Sequence, residues 1–571
     1  MAELNIIVGG EAGQGVQSVG FWLAKVFARA GYHVFADQDY ESRIRGGHNF
    51  FRVRVGEQPV GAITETIDVL ISLNEETIDL HLPELTGDGV VIFDADTIKK
   101  SYANAKLFNV PMVKLAEEKA GNNLMTNTVA LGAALGLLKC DFEVIRKVLI
   151  DQFGAGDIGE GNVKAAQAGF EHAQANYKGS FQKKLTPPGN GSRMLLSGSE
   201  AIALGALAAG CNFMSAYPMT PTTPILEYLA AKAKDFNIVV VQPEDEISAI
   251  NMTIGAAYAG ARAMTATSGS GFCLMVEGIG LAGITETGVV IIEGQRPGPA
   301  VGLPTRTEQG DLQFVLNCHQ GDFPRAILAP ADVADSFWLT VKAFNLAEKY
   351  QTPVIVMTDH YLSTVYATVD RFDLTKISID RGLLYSESNG SPEEYKRHLI
   401  TPSGISPRAF PGMSKALVIT DADEHNETGH LIEDARTRKE QMDKRQRKLI
   451  PLQKEIAAPL LYGNANAETT LIGWGSTCGA LKEAVDILNR DNVSVNLLHF
   501  TELWPFPGDD TLKVLEKSKK SYVVESNATG QLARLIRQET GKKVTGTILK
   551  YDGRPFTPAY IVQELKKRDI S

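Results

Sequence analysis

Short apolar runs alternate with longer amphipathic stretches along most of the 571-residue chain. The first unit contains the apolar run Ile6-Ile-Val8, a glycine-rich turn and an amphipathic helix predicted over 19–30. Because parallel strands need helical crossovers, this alternation predicts doubly wound α/β structure. Further buried strands are predicted at 32–36, 69–73, 90–94, 238–241, 263–267, 289–292, 352–357, 470–474, 494–500 and 521–526.

Breaks in this pattern predict three parallel-sheet α/β domains. A Lys/Pro/Gly-rich stretch reads as a linker, and Ser197 with Glu200 forms a capping box ahead of the next helix. The charged run 433–448 is typical of a solvated helix between domains. The predicted order is a first α/β domain at 1–180, a linker at 181–193, a second domain at 194–375, an irregular and charged connecting segment at 376–467, and a third domain at 468–571.

Composition narrows the possible functions. The formal net charge of -10 argues against a nucleic-acid partner. The N-terminus carries no signal-peptide pattern and no apolar run reaches membrane-spanning length, so a cytoplasmic protein without a membrane anchor is expected. The 5 cysteines lie far apart and form no metal-ligand spacing, so no metal site is expected on this chain.

A glycine-rich loop, Gly13-x-Gly15-x-x-Ser18, follows the first strand. Such a loop lets backbone N–H groups approach a phosphate at a helix N-terminus. Ser18 replaces the third glycine of the dinucleotide motif, and no acidic residue closes the second strand until Asp37. A tight structural turn, or a loop that holds another phosphate-bearing ligand, therefore fits better than an NAD site.

Two other loops suggest ligands. Gly87-Asp-Gly89 with Asn122-Asn123 resembles a Mg²⁺-diphosphate motif, but it precedes a strand rather than following one, which favours a plain turn. The stretch Arg43 to Asn49 combines two arginines and two glycines, which suit oxyanion recognition between strands. Arg45 and His48 are its candidate contact residues.

The second domain carries the densest set of unusual residues. In Tyr217-Pro-Met-Thr-Pro-Thr-Thr-Pro224, alternating prolines fix the backbone and therefore the directions of the hydroxyls, although the stretch could also be a plain connection. Glu246 heads a helix of small residues, where an acid also complements the helix dipole. Ser268-Gly269 and the rigid loop Gln295 to Thr307, which contains Arg296, each follow a strand. Ligands of parallel sheets bind at this edge.

Together these stretches resemble the α subunit of a 2-oxoacid:ferredoxin oxidoreductase with a γ domain fused ahead of it. The resemblance covers essentially the whole chain, and the Tyr-Pro-x-Thr-Pro motif followed by Glu246 and Arg296 is its most specific element. It implies a γ-type domain, a thiamine diphosphate pyrimidine-binding domain and a transketolase C-terminal-like domain. The remaining stretches that carry it are 9–20, 42–48, 498–507 and 524–531.

The resemblance also implies roles for individual residues. Thr220 and Arg296 match residues that face the carboxylate of the 2-oxo acid, and Thr305 matches a threonine nearby. Glu246 matches the glutamate that hydrogen-bonds N1′ of the thiamine aminopyrimidine. Tyr217, Pro218 and Gly269 are expected to line the cofactor, whereas Arg45 and His48 are candidates for contact with coenzyme A or the substrate.

The family implies partners as well. Mg²⁺ and the [4Fe-4S] cluster are expected on a β subunit, in an (αβ)₂ heterotetramer that exchanges electrons with ferredoxin and uses coenzyme A as cosubstrate. The expected reaction converts 2-oxoglutarate to succinyl-CoA and CO₂, and its reverse fixes CO₂.

Other functions stay open at this point. Pyruvate and branched-chain 2-oxo acids are alternative substrates. An NAD-dependent dehydrogenase that uses the Gly13 loop is a less favoured reading, and so is a non-catalytic scaffold subunit.

Overall fold

The structure is a computed structural model that describes residues 3–42, 46–102, 106–179, 181, 183–186, 193–386 and 392–568. The chain divides into two compact units. The first comprises 1–196, 364–371 and 557–559, and the second comprises 197–363, 372–556 and 560–571. No helix among the described residues is long and apolar enough to cross a membrane.

The first unit contains an eight-stranded sheet in the order β6-β5-β4-β1-β3-β2-β14-β7. Its strands, numbered along the whole chain, are β1 (Glu3–Ala12), β2 (His33–Asp39), β3 (Gly46–Gly56), β4 (Ile67–Ser72), β5 (Leu85–Phe93), β6 (Leu107–Asn109), β7 (Met194–Ser197) and β14 (Tyr366–Val369). Its helices are α1 (Val16–Arg29), α2 (Glu75–His81), α3 (Met112–Leu115), α4 (Thr126–Leu137), α5 (Phe142–Phe153) and α6 (Asp157–Asn176).

The predicted α/β class is confirmed, but this first sheet contains antiparallel as well as parallel pairs. Strand β3 runs antiparallel to both β1 and β2, and β14 runs antiparallel to β2. Residues 46–49 of the predicted anion-binding loop belong to β3, whereas 43–45 lie outside the described residues. The predicted turn at Gly87–Gly89 is also wrong, because these residues lie within β5. There the Asp88 carboxylate accepts a hydrogen bond from Lys106 Nζ at 2.9 Å.

The second unit begins with a seven-stranded sheet in the order β18-β12-β13-β11-β10-β8-β9. Its strands are β8 (Phe213–Ser215), β9 (Val239–Val241), β10 (Ala263–Thr267), β11 (Val290–Gln295), β12 (Ala326–Leu328), β13 (Val354–Asp359) and β18 (Glu502–Trp504). Its helices are α7 (Gly198–Ala208), α8 (Thr223–Phe236), α9 (Glu246–Tyr258), α10 (Gly269–Ile284), α11 (Leu312–Leu316), α12 (Val333–Tyr350) and α13 (His360–Thr364). The predicted capping box of Ser197 and Glu200 starts α7.

The second unit also contains a five-stranded sheet, in the order β15-β17-β16-β19-β20. Its strands are β15 (Leu460–Gly463), β16 (Thr469–Trp474), β17 (Val495–Phe500), β19 (Lys520–Glu525) and β20 (Gly546–Leu549), and its helices are α16 (Cys478–Arg490), α17 (Gly508–Leu515), α18 (Gln531–Thr540) and α19 (Pro558–Lys566). The buried faces of both sheets contribute to one continuous apolar core.

Two α-helices, α14 (Ala435–Arg447) and α15 (Leu449–Gln453), lie in the described part of the connecting segment. The prediction of a solvated α14 is wrong, because Lys444 and the following Lys448 are almost completely buried. Their ammonium groups each lie 2.5 Å from a carboxylate oxygen of Glu286, which is itself fully buried. Although burial alone would raise it, these lysines hold the pKa of Glu286 well below its ordinary value. Ion pairs thus anchor the segment to the domain of the seven-stranded sheet.

Glu286 also lies near two histidines, His398 and His425, and their ligand atoms lie within 4.8 Å of one another. This spacing alone would suit a metal ion. However, His398 Nδ1 lies 3.0 Å from the Glu286 carboxylate, and both carboxylate oxygens already contact lysine ammonium groups. A cation placed there would be repelled by two ammonium groups, so the arrangement is that of a buried ion-pair cluster.

Candidate active site

The proline-threonine stretch forms the connection between β8 and α8. Thr222 is buried, and its hydroxyl donates to the carbonyl oxygen of Met219 at 3.0 Å. Its backbone N–H donates to the same oxygen at 2.8 Å. Thr222 therefore shapes the turn. The peptide bond between Thr220 and Pro221 is cis.

Arg296 lies immediately after β11 and reaches this turn. Its Nη1 donates to the carbonyl oxygen of Thr220 at 2.8 Å. A Cβ atom at Gly294 would lie 2.6 Å from Thr222 Cγ2, so the glycine lets the turn pack directly on the strand. The structure thus brings Thr220 and Arg296 together, as predicted, through a backbone carbonyl. Burial lowers the pKa of Arg296, but a guanidinium remains charged at neutral pH.

Glu246 is the first residue of α9 and is 4% exposed. The neighbouring Asp245 caps the helix, because its Oδ1 accepts from the Ser248 backbone N–H at 2.8 Å. Glu246 Oε1 is buried and has no hydrogen-bond partner among the described residues. Capping of the helix therefore does not explain why Glu246 is there. An unpaired buried carboxylate oxygen is costly and indicates a site for a donor that the chain does not supply.

Contacts through α10 connect Glu246 with the turn. A Cβ atom at Gly271 would lie 2.6 Å from Glu246 Oε1 and still closer to Thr267 Oγ1 at the end of β10. The Ser270 hydroxyl donates to Met219 Sδ at 3.4 Å. The carboxyl ends of β8, β10 and β11 and the first turns of two helices therefore converge on one site, where ligands of parallel sheets bind.

A glycine-to-alanine change tests this convergence. Gly271→Ala is expected to displace the Glu246 carboxylate and to lower any activity that depends on it, while the circular dichroism spectrum stays unchanged. The matched control is Gly87→Ala, since a Cβ atom there meets nothing within 4 Å. Turnover of Gly271→Ala equal to that of the control, measured side by side, would contradict the close packing of Gly271 on Glu246.

The remaining predicted residues lie around the same strand ends. Gly269 begins α10, and a Cβ atom there would lie 2.6 Å from Asp311 Oδ2. Thr305 is half-buried in a loop that the Thr307 hydroxyl ties to Asp359 at the end of β13, with an oxygen-oxygen distance of 3.2 Å. Tyr217 is 38% exposed, and Pro218 is half-buried beside it. The contacts described for Gly269, Thr305, Tyr217 and Pro218 do not identify a ligand. Their roles in binding therefore stay predictions.

Two buried groups at this edge were missed by sequence reasoning. Glu293 in β11 is fully buried, and burial followed by the nearby Asp311 raises its pKa well above the ordinary value. His360 follows β13 and has its pKa lowered to about 4, first by burial and then by Arg306 and Arg296. The one available signal was an acid within the apolar run Val289-Val-Ile-Ile-Glu293. Burial thus favours the uncharged form of both groups at this edge of the sheet.

The other predicted contact residues lie in the first unit. His48 is on β3, and its Nε2 lies 2.9 Å from Nε2 of His81, whose Nδ1 lies 2.7 Å from Glu84 Oε2. Burial and the neighbouring His81 lower the pKa of His48 to about 4. The structure thus places His48 in a hydrogen-bonded chain of side chains, whereas Arg45 lies outside the described residues. A ligand role for either residue stays a prediction.

The glycine loop of the first unit is a tight turn between β1 and α1. Gly13 and Gly15 have φ angles of 94° and 75°. Residues with a Cβ rarely adopt such angles, and a Cβ at Gly15 would in addition collide with the Asn127 side chain. These constraints account for both glycines without a nucleotide.

Three protein-family models match the chain along its length. The model for pyruvate ferredoxin/flavodoxin oxidoreductase matches 5–172, and that for pyruvate flavodoxin/ferredoxin oxidoreductase, thiamine diphosphate-binding, matches 204–444. The model for pyruvate:ferredoxin oxidoreductase core domain II matches 467–561.

Individual relatives match either nearly the whole chain or about two thirds of it. The chain is 34% identical to the 2-oxoacid:ferredoxin oxidoreductase subunit alpha of Sulfolobus sp, over 97% of this chain and 95% of that one. It is 33% identical to the 2-oxoglutarate synthase subunit KorA of Archaeoglobus fulgidus, over 65% of this chain and 97% of that one.

A solved structure extends the similarity to the fold. The 2-oxoglutarate:ferredoxin oxidoreductase from Magnetococcus marinus, with 2-oxoglutarate, coenzyme A and succinyl-CoA bound, superimposes with a TM-score of 0.92 at 33% identity and covers 99% of each chain. Full-length similarity in sequence and fold, together with the convergence of Glu246, Thr220 and Arg296, leads to one conclusion: the chain belongs to the α subunits of the 2-oxoacid:ferredoxin oxidoreductases, a family of oxidoreductases.

Proposed function

We propose that this chain, with a β subunit, catalyses the coenzyme A-dependent oxidative decarboxylation of 2-oxoglutarate to succinyl-CoA and CO₂, with electrons passing to ferredoxin. The observation that carries the catalytic role is Glu246, whose buried Oε1 has no hydrogen-bond partner among the described residues. A scaffold subunit would gain nothing from an unpaired buried carboxylate oxygen, because such a group destabilises the fold.

Glu246 fits the pyrimidine end of thiamine diphosphate. A ring nitrogen that carries or shares a proton supplies the donor that Oε1 lacks, and Gly271 leaves the oxygen free of side-chain obstruction. When bound, thiamine diphosphate supplies the carbanion chemistry at the 2-oxo carbon. Glu246 holds and exchanges the proton at the ring nitrogen, while Gly269, Tyr217 and Pro218 form the surrounding wall.

Arg296 and Thr220 are the proposed binding residues for the carboxylate of the 2-oxo acid, with Thr305 beside them. The guanidinium of Arg296 is half-buried and is held at the turn by its hydrogen bond to Thr220. A positioned guanidinium binds a carboxylate through two parallel N–H···O bonds. Because the turn is built from prolines, its hydroxyls keep their positions while the adjacent bond of the substrate breaks.

2-Oxoglutarate is the substrate that the relatives favour. The Magnetococcus marinus enzyme, which matches 99% of this chain, is a 2-oxoglutarate:ferredoxin oxidoreductase and holds 2-oxoglutarate and succinyl-CoA. The matching Archaeoglobus fulgidus protein is a 2-oxoglutarate synthase subunit. Pyruvate is the second candidate, because all three family models describe pyruvate enzymes.

A β subunit is the proposed carrier of Mg²⁺ and of the [4Fe-4S] cluster, in an (αβ)₂ heterotetramer. Apolar side chains beside the site support such a partner, since Ile247 next to Glu246 is 47% exposed and Leu274 on α10 is 49% exposed. Exposed apolar groups around a buried functional residue are typical of a surface that a partner covers.

The deciding experiment uses the complex purified with its β subunit. Addition of 2-oxoglutarate and coenzyme A under anaerobic conditions is expected to bleach the visible iron-sulfur absorbance, whereas pyruvate with coenzyme A leaves it unchanged. Bleaching by pyruvate but not by 2-oxoglutarate would support oxidative decarboxylation of a 2-oxo acid and refute 2-oxoglutarate as the substrate. A colourless preparation that reduces NAD with a 2-hydroxy acid would refute the proposed function as a whole.

A further inference from the structure

Four cationic side chains line one cavity of about 290 Å³ in the first unit. Lys25 and Arg29 stand one turn apart on α1, Arg193 lies just before β7, and Arg371 follows β14. Three separate segments of a chain whose net charge is -10 thus bring positive charge to one place. No carboxylate is among the described residues that line this cavity.

The charges in the cavity are only partly offset by acids. Arg29 lies 3.6 Å from Asp151, and Arg193 lies 3.6 Å from Asp370, whose side chain is 92% exposed. Exposed, long ion pairs of this kind contribute little. Within the described parts of the chain, neither Lys25 nor Arg371 forms an ion pair, although Lys25 is half-buried.

The geometry holds one of these cations in place. Arg193 Nη1 donates to the carbonyl oxygen of Gly31 at 2.7 Å, and its side chain is 16% exposed. The positive charge of Arg193 also affects His33, because the pKa of His33 is lowered first by burial and then by Arg193. Attraction to the C-terminus of α1 explains a cation near its last turn. It does not explain Arg371, which is on a different element.

The floor of the cavity is apolar, formed by Phe21, Ala28, Met194, Leu195 and Leu196. Cationic side chains around an apolar floor suit a ligand with two parts. A dianionic group would contact the cations, and an apolar or aromatic group would pack on the floor. The volume lies at the lower end of the range for ligand pockets, which limits the ligand to about the size of a mononucleotide.

We propose that this cavity is a binding site for a small phosphate monoester, with the phosphate held by Lys25, Arg193 and Arg371 and the apolar body against Phe21. The site lies wholly within the first unit and is independent of the reaction proposed for Glu246 and Arg296. It adds a further ligand to those of the proposed reaction.

Calorimetric titration of the assembled enzyme with adenosine 5′-monophosphate tests the site. Wild-type enzyme is expected to bind the nucleotide saturably and more weakly as salt is raised, because the phosphate is held by charge. Lys25→Gln with Arg371→Gln is expected to weaken binding at least about tenfold, since two charge-assisted contacts are lost.

Three comparisons make the test decisive. The double variant Lys147→Gln with Lys164→Gln removes two exposed charges from α5 and α6 and is expected to bind like wild type. Adenosine without phosphate is expected not to bind, and inorganic phosphate to bind more weakly than the nucleotide. Absence of saturable binding, or equal affinity in wild type and the Lys25/Arg371 variant, would overturn the proposal. Equal affinity for inorganic phosphate and the nucleotide would overturn the role of the apolar floor.

Discussion

Glu246→Gln is expected to lower turnover of the assembled enzyme by about 10²- to 10⁴-fold, the range over which a positioned acid-base group contributes. Glutamine has the size of glutamate, so the packing against α10 is kept while the exchangeable proton is lost. Because Oε1 has no partner within the described chain, the substitution breaks no hydrogen bond at that atom. Single-turnover bleaching of the iron-sulfur absorbance by 2-oxoglutarate and coenzyme A measures the effect directly.

The matched control is Glu277→Gln, an exposed glutamate on the neighbouring α10. It carries the same change of charge and is expected to leave the bleaching rate unchanged. Thermal unfolding of both variants should resemble that of wild type. Full turnover of Glu246→Gln in a correctly assembled complex would refute the catalytic role of Glu246, and the family fold would then serve an inactive subunit.

The second large effect is expected on stability. Glu286→Gln leaves the ammonium groups of Lys444 and Lys448 without their shared anion in a fully buried environment. Removing one partner of a buried ion cluster destabilises a protein by about 3–5 kcal/mol. The second unit should therefore unfold at a lower temperature in differential scanning calorimetry, and the connecting helix α14 should lose protection against hydrogen exchange.

Glu440→Gln on the same helix is the control for this experiment. Glu440 pairs with Arg436 at 2.9 Å on the exposed face of α14. Surface ion pairs one helical turn apart contribute little, so the unfolding midpoint is expected to match wild type. If the Glu286 and Glu440 variants unfold at the same temperature as wild type, the buried cluster does not anchor the segment.

Local residue patterns predicted the positions of Glu246 and Arg296 at strand ends, because each follows a strand; their roles stay predictions. Arg296 comes directly after β11, and Glu246 begins the helix after β9. In a parallel sheet these positions meet at one edge whatever the details of packing. Sequence reasoning did not identify Glu293, because a single acid within an apolar strand forms no repeating pattern. Its raised pKa results first from burial and then from Asp311 and Asp359, which are distant in sequence.

The sequence pattern also did not predict that the first sheet contains antiparallel strands. The segment from Gly46 to Gly56 alternates apolar and charged residues like any half-buried strand, but alternation carries no information about direction. Glycines at its start resembled those of a binding loop. Its antiparallel pairing with β1 and β2 is decided by contacts between strands and not by the pattern within the segment.

The sequence by itself determined the α/β class, the order of most strands and helices, the capping box at Ser197, and the positions of Glu246 and Arg296 after strands. These features are local, since each depends on periodicity, turn residues or a short motif. Tertiary structure alone decided that Lys444 is buried on Glu286, that His48 pairs with His81, and that Glu246 keeps an unpaired oxygen. Burial and pairing join residues far apart in the chain, and the energy of a charge depends on those surroundings more than on its neighbours in sequence.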